Sequence, residues 1–321
     1  MRELIIKAND AGQRLDKFLS KTLTAMPPSL MYKYIRTKKI KVNRARAKEG
    51  YMLREGDRIQ LFIKDEFFEK RTGVSRLSGI IPRLSIVYED ENILLLDKRP
   101  GVLVHEDDKG EGNTLLLHIK AYLYQKGEYD PDSELSFAPA LCNRIDRNTG
   151  GIVIAAKNAT TLRVLNEKMR ARQIGKYYVC AVHGILAKKR DTLVARLKKD
   201  ADENRVTIYS DGDSPKDSKP IKTRYRVLDE RGERSLLEVE LLTGRTHQIR
   251  AQLAHIGHPL LGDGKYGINR EEKKEGYKYQ ALYSYRLIFN FEGDSGHLAY
   301  LAGREFSVDK GQIWFVRDFY K

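Results

Sequence analysis

The sequence predicts an α+β fold in two domains, the larger one built on a largely antiparallel, mixed sheet. Its 321 residues are 41% apolar, which favours two domains and supplies a substantial core for the larger one. After residue 84, strand-like segments outnumber helical ones and are not interleaved with them one for one. The charge-rich stretch 66–84 predicts a linker, which separates a domain over residues 1–65 from a domain over residues 85–321.

The first domain is expected to be a small α/β module of two helices and short strands. Leu15, Phe18 and Leu19 recur at helical spacing and predict one apolar helix face. A second helical period begins after two prolines, at residue 30. Two later segments have the pattern of short strands, the first by alternating cations with apolar residues and the second by following a glycine-containing turn: residues 38–43 and 58–63.

The second domain is expected to contain strands and one well-marked helix. The domain begins at residues 84–90, and after a turn the apolar run in 93–101 predicts a buried strand. Asn158 is a favourable N-cap, and apolar residues follow it at helical spacing, so a helix is expected from there to near Gly175. The remaining expectations are a strand over 177–182, a hairpin joining 224–228 to 236–242, and an exposed polar loop over 198–222.

The charge balance points to a polyanionic partner or to a solvated basic surface. Lysine and arginine number 59 against 44 acidic residues, a formal net charge of +15. Nucleic acid and an anionic membrane both fit this surplus, and charge alone does not choose between them. No apolar run approaches the ~20 residues of a membrane span, and the start lacks the features of a signal peptide, so a cytoplasmic location and no membrane partner are expected.

Two clusters of charged residues are the candidates for chemistry. Residues 144–151, RIDRNTGG, place one carboxylate, Asp146, among arginines, and residues 244–250, GRTHQIR, supply further cations without an acid. A lone carboxylate near several arginines on a polyanion-binding surface is a candidate reactive group, while a salt-bridged structural aspartate is the alternative. A carboxylate can add to an electrophilic carbon or remove a proton.

A metal site is the other chemical possibility. His247, His255, His258 and Asp263 could supply ligands, but their spacing matches no standard zinc motif, so ordinary polar contacts and no metal are expected. Two cysteines, Cys142 and Cys180, are too few for a disulfide framework or a thiolate zinc site, and buried thiols are expected.

Residues 143–151 and 244–250 together resemble the catalytic and arginine motifs of the RluA-type pseudouridine synthases, RNA enzymes that isomerise uridine. Residues 176–184, KYYVCAVHG, resemble the Lys-x-Tyr strand of that family, and residues 1–65 resemble the S4 RNA-binding domain. Some positions depart from the usual residues. The chain has Asn143, Ile145 and Gly150 where that family usually has His, Leu and Ser, and Lys39 and Arg44 where S4 domains usually have glycine.

The resemblance implies a role for each matching residue. Asp146 occupies the position of the catalytic aspartate, and Arg245 is expected to pair with it. Tyr178, selected over Tyr177 by a glycine six residues later, is expected to stack on the uracil and relay its C5 proton. Arg144, placed on one strand face with Asp146, is expected to occupy the gap left by the extruded base.

The predicted function is cofactor-free isomerisation of uridine to pseudouridine in structured RNA by a monomeric enzyme. Ribosomal RNA is the favoured substrate because an S4-like domain precedes the catalytic one; transfer RNA is the alternative substrate, and a non-catalytic RNA-binding or ribosome-assembly protein is the alternative class. The RNA contacts are expected to be made by Arg144, Lys176, Arg250, Lys33, Arg36, Lys38, Lys39 and Lys41.

Overall fold

The computed structural model describes residues 1–68, 77–105, 112–200, 203, 205–210, 212, 214–267, 269 and 271–320. The chain divides into two compact units. The N-terminal unit comprises Met1–Arg83, Leu116–Ala140 and Ala156–Arg163, and the C-terminal unit comprises Leu84–Leu115, Leu141–Ala155 and Val164–Lys321. The N-terminal unit thus takes in two segments from beyond residue 85, and the domain boundaries drawn from the sequence stay a prediction.

The N-terminal unit contains the predicted helices and a four-stranded antiparallel sheet in the order β1-β4-β2-β3. Leu15, Phe18 and Leu19 are fully buried in its core, which confirms the apolar face of the first helix. Pro28 begins the second helix, where the missing N–H costs no hydrogen bond. The elements are β1 (Arg2–Ile5), α1 (Leu15–Thr22), α2 (Pro28–Arg36), β2 (Ile40–Val42), β3 (Ala45–Arg46) and β4 (Arg58–Leu61).

A two-residue turn joins β2 to β3. Asn43 has φ 52° and Arg44 has φ 66°, so both central residues lie in the left-handed region, as in a type I′ hairpin turn. Asn43 fixes the turn because its Oδ1 accepts from the Arg58 amide at 2.9 Å and its Nδ2 donates to Asp57 at 2.8 Å. Arg44 therefore holds a conformation that glycine adopts without strain, which explains why S4 domains often have glycine there.

The predicted linker over 66–84 is only partly covered by the described residues, because 69–76 lie outside them. At its start, Phe67 and Phe68 pack against the core of the N-terminal unit. The same unit holds the segment 116–140 by polar contacts: the buried side chain of Asp10 accepts from the amide and the hydroxyl of Ser136, at 3.0 and 2.7 Å.

The main sheet has eleven strands within the described residues and confirms the α+β class. Its order is β11-β10-β12-β13-β9-β14-β8-β6-β5, with β7 beside β8 and β15 beside β14. Neighbouring strands run antiparallel in most pairs, whereas β14 and β8 run parallel. The strands are β5 (Ile86–Glu89), β6 (Ile93–Lys98), β7 (Ala140–Leu141), β8 (Gly150–Ala156), β9 (Ile174–His183), β10 (Arg190–Asp200), β11 (Arg205–Tyr209), β12 (Lys219–Arg231), β13 (Arg234–Leu241), β14 (Leu282–Phe289) and β15 (Glu305–Ser307).

Three further helices accompany these strands: α3 (Leu115–Gln125), α4 (Ala159–Arg170) and α5 (Gln248–His255). The predicted N-cap of α4 is confirmed, because Asn158 Oδ1 accepts from the Thr161 amide at 2.8 Å. The helix ends at Arg170, earlier than expected, since Arg172 turns the backbone into the left-handed region at φ 59°. No helix within the described ranges is both long and apolar enough to cross a membrane.

The prediction of an exposed loop over 198–222 was wrong. Strands β10 and β11 form a hairpin there, and β12 already begins at Lys219. Val206 and Ile208 alternate with polar neighbours and are buried in a small core with Ile221. Polar composition concealed this strand alternation. The hairpin of β12 and β13 is confirmed, with Gly232 in its turn at φ 58°.

Candidate active site

The two charged motifs meet at an open cleft of about 1230 Å³ in the C-terminal unit. Its walls are formed by the segments 142–149, 169–178 and 240–250 together with shorter stretches of chain. Nine cations line it against two acids, Asp146 and Glu240, so the cleft suits a polyanion. The cations are Arg144, Arg147, Arg170, Arg172, Lys176, Lys222, Arg224, Arg245 and Arg250.

Asp146 lies in an extended loop between β7 and β8, not in a strand. The expectation that Arg144 and Asp146 share a strand face was therefore wrong, although both side chains line the cleft. The Asp146 side chain is 26% exposed, and its Oδ2 accepts from Arg250 Nη1 at 2.8 Å. In the described part of the chain, the groups that approach this carboxylate reach Oδ2 and leave Oδ1 open.

A glycine corner positions the strand that follows this loop. Gly151 has φ 113°, and a Cβ built on it would lie 2.1 Å from the Ser284 carbonyl oxygen. Only glycine permits this approach, which brings β8 beside β14 in parallel register. At the neighbouring Gly150, a Cβ would lie 2.4 Å from the ring of Tyr283. That ring occupies the space that the usual serine of the family would need.

Arg250 joins two carboxylates. Its Nε and Nη2 donate to Asp263 at 2.7 and 2.8 Å, while Nη1 donates to Asp146. Burial disfavours the charge on Arg250, but the hydrogen bonds and negative charges of the two aspartates outweigh it and raise the pKa of the guanidinium. Burial likewise opposes the charge on Asp263, and its bonds to Arg250 lower the pKa of that carboxyl overall.

The expected pairing of Arg245 with Asp146 was wrong, because Arg250 makes that contact. Arg245 precedes α5, its side chain is exposed at the cleft, and its amide donates to Gln248 Oε1 at 3.1 Å. Arg250 lies on the buried part of α5 and its side chain is only 9% exposed. Arg250 holds two carboxylates, and its expected contact with RNA stays a prediction.

Tyr178 lines the cleft, and Tyr177 does not. The hydroxyl of Tyr177 reaches Glu240 at 3.3 Å, and Arg286 stacks on its ring. Tyr178 is buried, and its hydroxyl hydrogen bonds with Ser284. Burial raises the pKa of Tyr178 to about 12, so the phenol is neutral at neutral pH.

Lys98 is a site residue that the sequence analysis missed. It ends the buried strand β6, is 1% exposed, and donates to the carbonyls of Arg99, Val102 and Arg147 at 3.1, 2.9 and 2.9 Å. Since Arg147 follows Asp146, this ammonium ties the catalytic candidate's loop to β6. Burial lowers the pKa of Lys98 to about 7, against a smaller opposing effect of Asp146. The sequence did contain one indication of this role, because Lys98 is a charged residue at the end of an apolar strand.

His247 stands beside Asp146 in a left-handed conformation, with φ 53°. Its Nε2 lies 3.9 Å from Asp146 Oδ2, and its Nδ1 lies 2.9 Å from the hydroxyl of Tyr266. That hydroxyl also accepts from the Val206 amide at 2.9 Å. Burial lowers the pKa of His247, so the imidazole is neutral at neutral pH.

The histidines do not assemble a metal site. Within the residues described, no group of three histidine, cysteine or acidic side chains has the arrangement to hold a metal ion. Asp263 is occupied by Arg250, and His258 Nδ1 contacts the carbonyl of His183 at 2.8 Å. Cys180 is buried, as expected, and Cys142 is half-buried.

The other candidate residues take varied positions. Asn143, at the usual histidine position, accepts from the Ile154 amide at 2.8 Å and thereby holds the cleft loop to β8. Lys176 is half-buried at the cleft, where Arg144 is exposed. In the N-terminal unit Lys41 is half-buried, whereas the remaining candidate cations are exposed: Lys33, Arg36, Lys38 and Lys39.

Comparison with known proteins agrees with this geometry. Residues 92–255 match the model of the RNA pseudouridylate synthase family, and residues 13–59 match the S4 domain. A Vibrio cholerae protein named ribosomal large subunit pseudouridine synthase C is 33% identical over 266 residues, covering 81% of this chain and 78% of the relative. A Mycoplasma genitalium protein named as an uncharacterized RNA pseudouridine synthase is 31% identical, covering 89% and 88%.

The solved structure of human RNA pseudouridylate synthase domain containing 4 shares the fold. Its TM-score is 0.55 at 19% identity, and the match covers 72% of this chain and 90% of the human one. The family model spans Lys98 and the cleft residues from Leu103 to Arg250, including Asp146 and Tyr178. The chain belongs to the RNA pseudouridylate synthase family and carries an S4 domain at residues 13–59.

Proposed function

We propose that this enzyme isomerises specific uridines of large-subunit ribosomal RNA to pseudouridine, and that Asp146 performs the first chemical step. The observation that carries the proposal is that this carboxylate, in a basic cleft, has one oxygen anchored and the other open. Arg250 anchors Oδ2, while Oδ1 has no donor among the described residues. The other acid of the cleft, Glu240, is engaged by Arg224 at 2.7 Å.

The reaction needs a group that can open the bond between N1 and the ribose. The base then turns and joins C1′ through C5, and the C5 proton leaves. A carboxylate oxygen can start this sequence by adding to an electrophilic carbon or by taking a proton. Either role requires an oxygen that is not already occupied, which Oδ1 supplies. The fixed Arg250–Asp263 pair keeps this oxygen in place while the base moves.

The target base must leave its helix to reach this carboxylate. Flipping a base costs a few kcal/mol, which contacts to the flipped base and the backbone repay. Tyr178 lines the cleft as a neutral phenol, so its ring is suited to stack on the uracil and its hydroxyl to relay the C5 proton. With a pKa of about 12 it is not a standing phenolate base.

Two observations support ribosomal RNA as the substrate. The Vibrio cholerae relative, 33% identical over 81% of this chain, is named for the ribosomal large subunit. The chain also carries an S4 domain with exposed lysines and arginines, in a protein of net charge +15. Such a domain adds phosphate contacts beyond the cleft and therefore favours a large structured RNA.

The test is to incubate purified protein with protein-free large-subunit ribosomal RNA and, separately, with transfer RNA, and to map pseudouridine at single-nucleotide resolution. We expect new sites in the ribosomal RNA only. Asp146→Asn should form product at less than a few per cent of the parent rate and bind RNA within a few-fold of it. Glu240→Gln, which removes the other cleft acid, should stay active.

The outcomes separate substrate from mechanism. Modification of transfer RNA alone would overturn the ribosomal assignment and leave the catalytic one intact. Activity of Asp146→Asn near the parent rate would overturn the role of Asp146.

A further inference from the structure

Arg172 and Lys176 are two of the cleft cations that have no acidic partner among the described residues. Arg172 follows α4, and Lys176 lies near the start of β9; both line the cleft. Neither forms an ion pair within 4 Å in the described part of the chain, whereas Arg224 and Arg250 are each held by a carboxylate. Lys176 is half-buried, so an uncompensated charge there is costly unless an anion joins it.

The two charges act on each other. Burial lowers the pKa of Lys176, and the charge of Arg172 lowers it further. Among the described residues, no acid offsets these two effects. The Lys176 ammonium also lies against the second motif, because a Cβ on Gly244 would be 3.4 Å from its Nζ. The pair therefore places concentrated positive charge beside the segment that carries His247 and Arg250.

Arg172 occupies a backbone position that suits glycine. Its φ is 59°, its amide donates to the Met169 carbonyl at 3.1 Å, and the next amide, of Gln173, donates to Lys168 at 2.9 Å. This is the turn that ends a helix, where glycine is the usual residue. A side-chain-bearing residue is strained there. An arginine at this point costs stability, which suggests that its side chain serves another purpose.

We propose that Arg172 and Lys176 form a binding site for a backbone phosphate of the RNA next to the target uridine. The proposal rests on the proposed function and specifies how the cleft holds its substrate. A phosphate supplies the missing negative charge and can accept from the guanidinium and the ammonium together. A phosphate contact fixes the position of the strand without reading its sequence.

The first experiment separates stability from binding, using Asp146→Asn protein so that affinity is measured without turnover. Arg172→Gly relieves the strained backbone and removes the charge. It should raise the melting temperature by roughly 1–2 °C and weaken RNA binding on the order of ten-fold. The slope of log affinity against log salt should fall by about 0.7–0.9. Lys176→Met should show the same loss of slope. Arg172→Lys, the matched control, should keep the slope.

The second experiment identifies the phosphate. RNA carrying one neutral methylphosphonate beside the mapped uridine should bind the Asp146→Asn protein more weakly. The same RNA should bind the Arg172→Gly form of that protein no more weakly than unmodified RNA does, because the partner of the phosphate is already gone.

Parent affinity and salt slope in both Arg172→Gly and Lys176→Met would overturn the phosphate site. So would an equal effect of the methylphosphonate on both proteins. Neither readout depends on turnover, so an active Asp146→Asn variant would count against the proposed mechanism and leave the phosphate site standing.

Discussion

Arg250 and Arg172 line the same cleft and are used in opposite ways. Arg250 is 9% exposed and donates to two carboxylates, whereas Arg172 is exposed and has no ion pair in the described residues. The first belongs to the protein's own architecture, because its charge is neutralised before any substrate arrives. The second leaves its charge for the substrate. Among cations of one cleft, the acidic partner distinguishes a positioning residue from a binding residue.

The difference has a cost on each side. Burying Arg250 with Asp263 removes both charges from water, which costs desolvation free energy. The attraction between the two charges in good geometry only about balances that cost. Removing one partner is then expensive, because a buried charge loses its counterion. Removing an exposed cation costs little stability and changes RNA binding instead.

The largest effect is expected for Asp263→Asn. Arg250 would keep Asp146 as its acidic partner but lose the bidentate contact that orients it, so the free energy of unfolding should fall by about 3 kcal/mol. The rate constant of single-turnover isomerisation should fall on the order of 100-fold, because Asp146 is no longer held in place. Denaturant unfolding and rapid-quench kinetics measure the two effects.

Arg245→Ala is the matched control for that change. Its side chain is exposed at the same cleft, so stability should change by no more than about 0.5 kcal/mol. RNA affinity should fall while the single-turnover rate at saturation stays near that of the parent. A large rate loss for Arg245→Ala with little change for Asp263→Asn would reverse the roles assigned to Arg245 and Arg250.

The next effect in size is expected on β9, where Tyr178→Phe keeps the ring and removes the hydroxyl. It should bind RNA normally and turn over on the order of 100-fold more slowly, as expected when a group that relays a proton is lost. Tyr177→Phe, which removes a hydroxyl bonded to Glu240 on a residue that does not line the cleft, should stay within a few-fold of the parent. Equal rates for the two variants would remove the hydroxyl of Tyr178 from the reaction.

The sequence predicted the elements that depend on local pattern. The apolar spacing of α1, the N-cap of α4 and the apolar run of β9 each depend on a few consecutive residues, and the structure has all three. The hairpin of β10 and β11 was missed because its buried residues, among them Val206 and Ile208, are separated by many polar ones.

The site was predictable in its motifs but not in its pairings. Arg245 and Arg250 belong to one seven-residue motif, and only the burial of α5 decides which of them reaches Asp146. The contacts of Lys98 to three carbonyls depend on how distant loops pack, which the spacing of residues along the sequence does not predict.

Lys98 should make stability depend on pH. Its folded-state pKa is about 7 and its ordinary value is 10.5. Between these values the unfolded chain holds the proton and the folded chain does not. The free energy of unfolding should therefore rise with pH in this window, by up to about 1.4 kcal/mol per unit, and level off above it.

The measurement compares parent and Lys98→Met by denaturant unfolding from pH 7 to 10, and the difference between the two curves isolates Lys98. If the free energies of unfolding of the two proteins had identical slopes against pH, Lys98 would be an ammonium throughout. Its three N–H donors would then be held by the three carbonyl acceptors.

The smallest effect is expected in the N-terminal unit, at the other arginine that invites comparison with Arg172. Arg44 has φ 66° in the turn between β2 and β3. Arg44→Gly removes roughly 1–2 kcal/mol of left-handed strain and adds about 0.5–1 kcal/mol of chain entropy to the unfolded state. The free energy of unfolding should therefore rise by about 0.5 kcal/mol. Arg46→Gly, in the adjoining strand β3, removes the same charge without relieving strain and should lower the free energy of unfolding.

If both variants flatten the salt dependence of RNA binding alike, Arg44 resembles Arg172 in keeping a strained position for the sake of its charge. If Arg44→Gly raises stability and leaves RNA binding unchanged, Arg44 resembles Arg172 only in its backbone conformation.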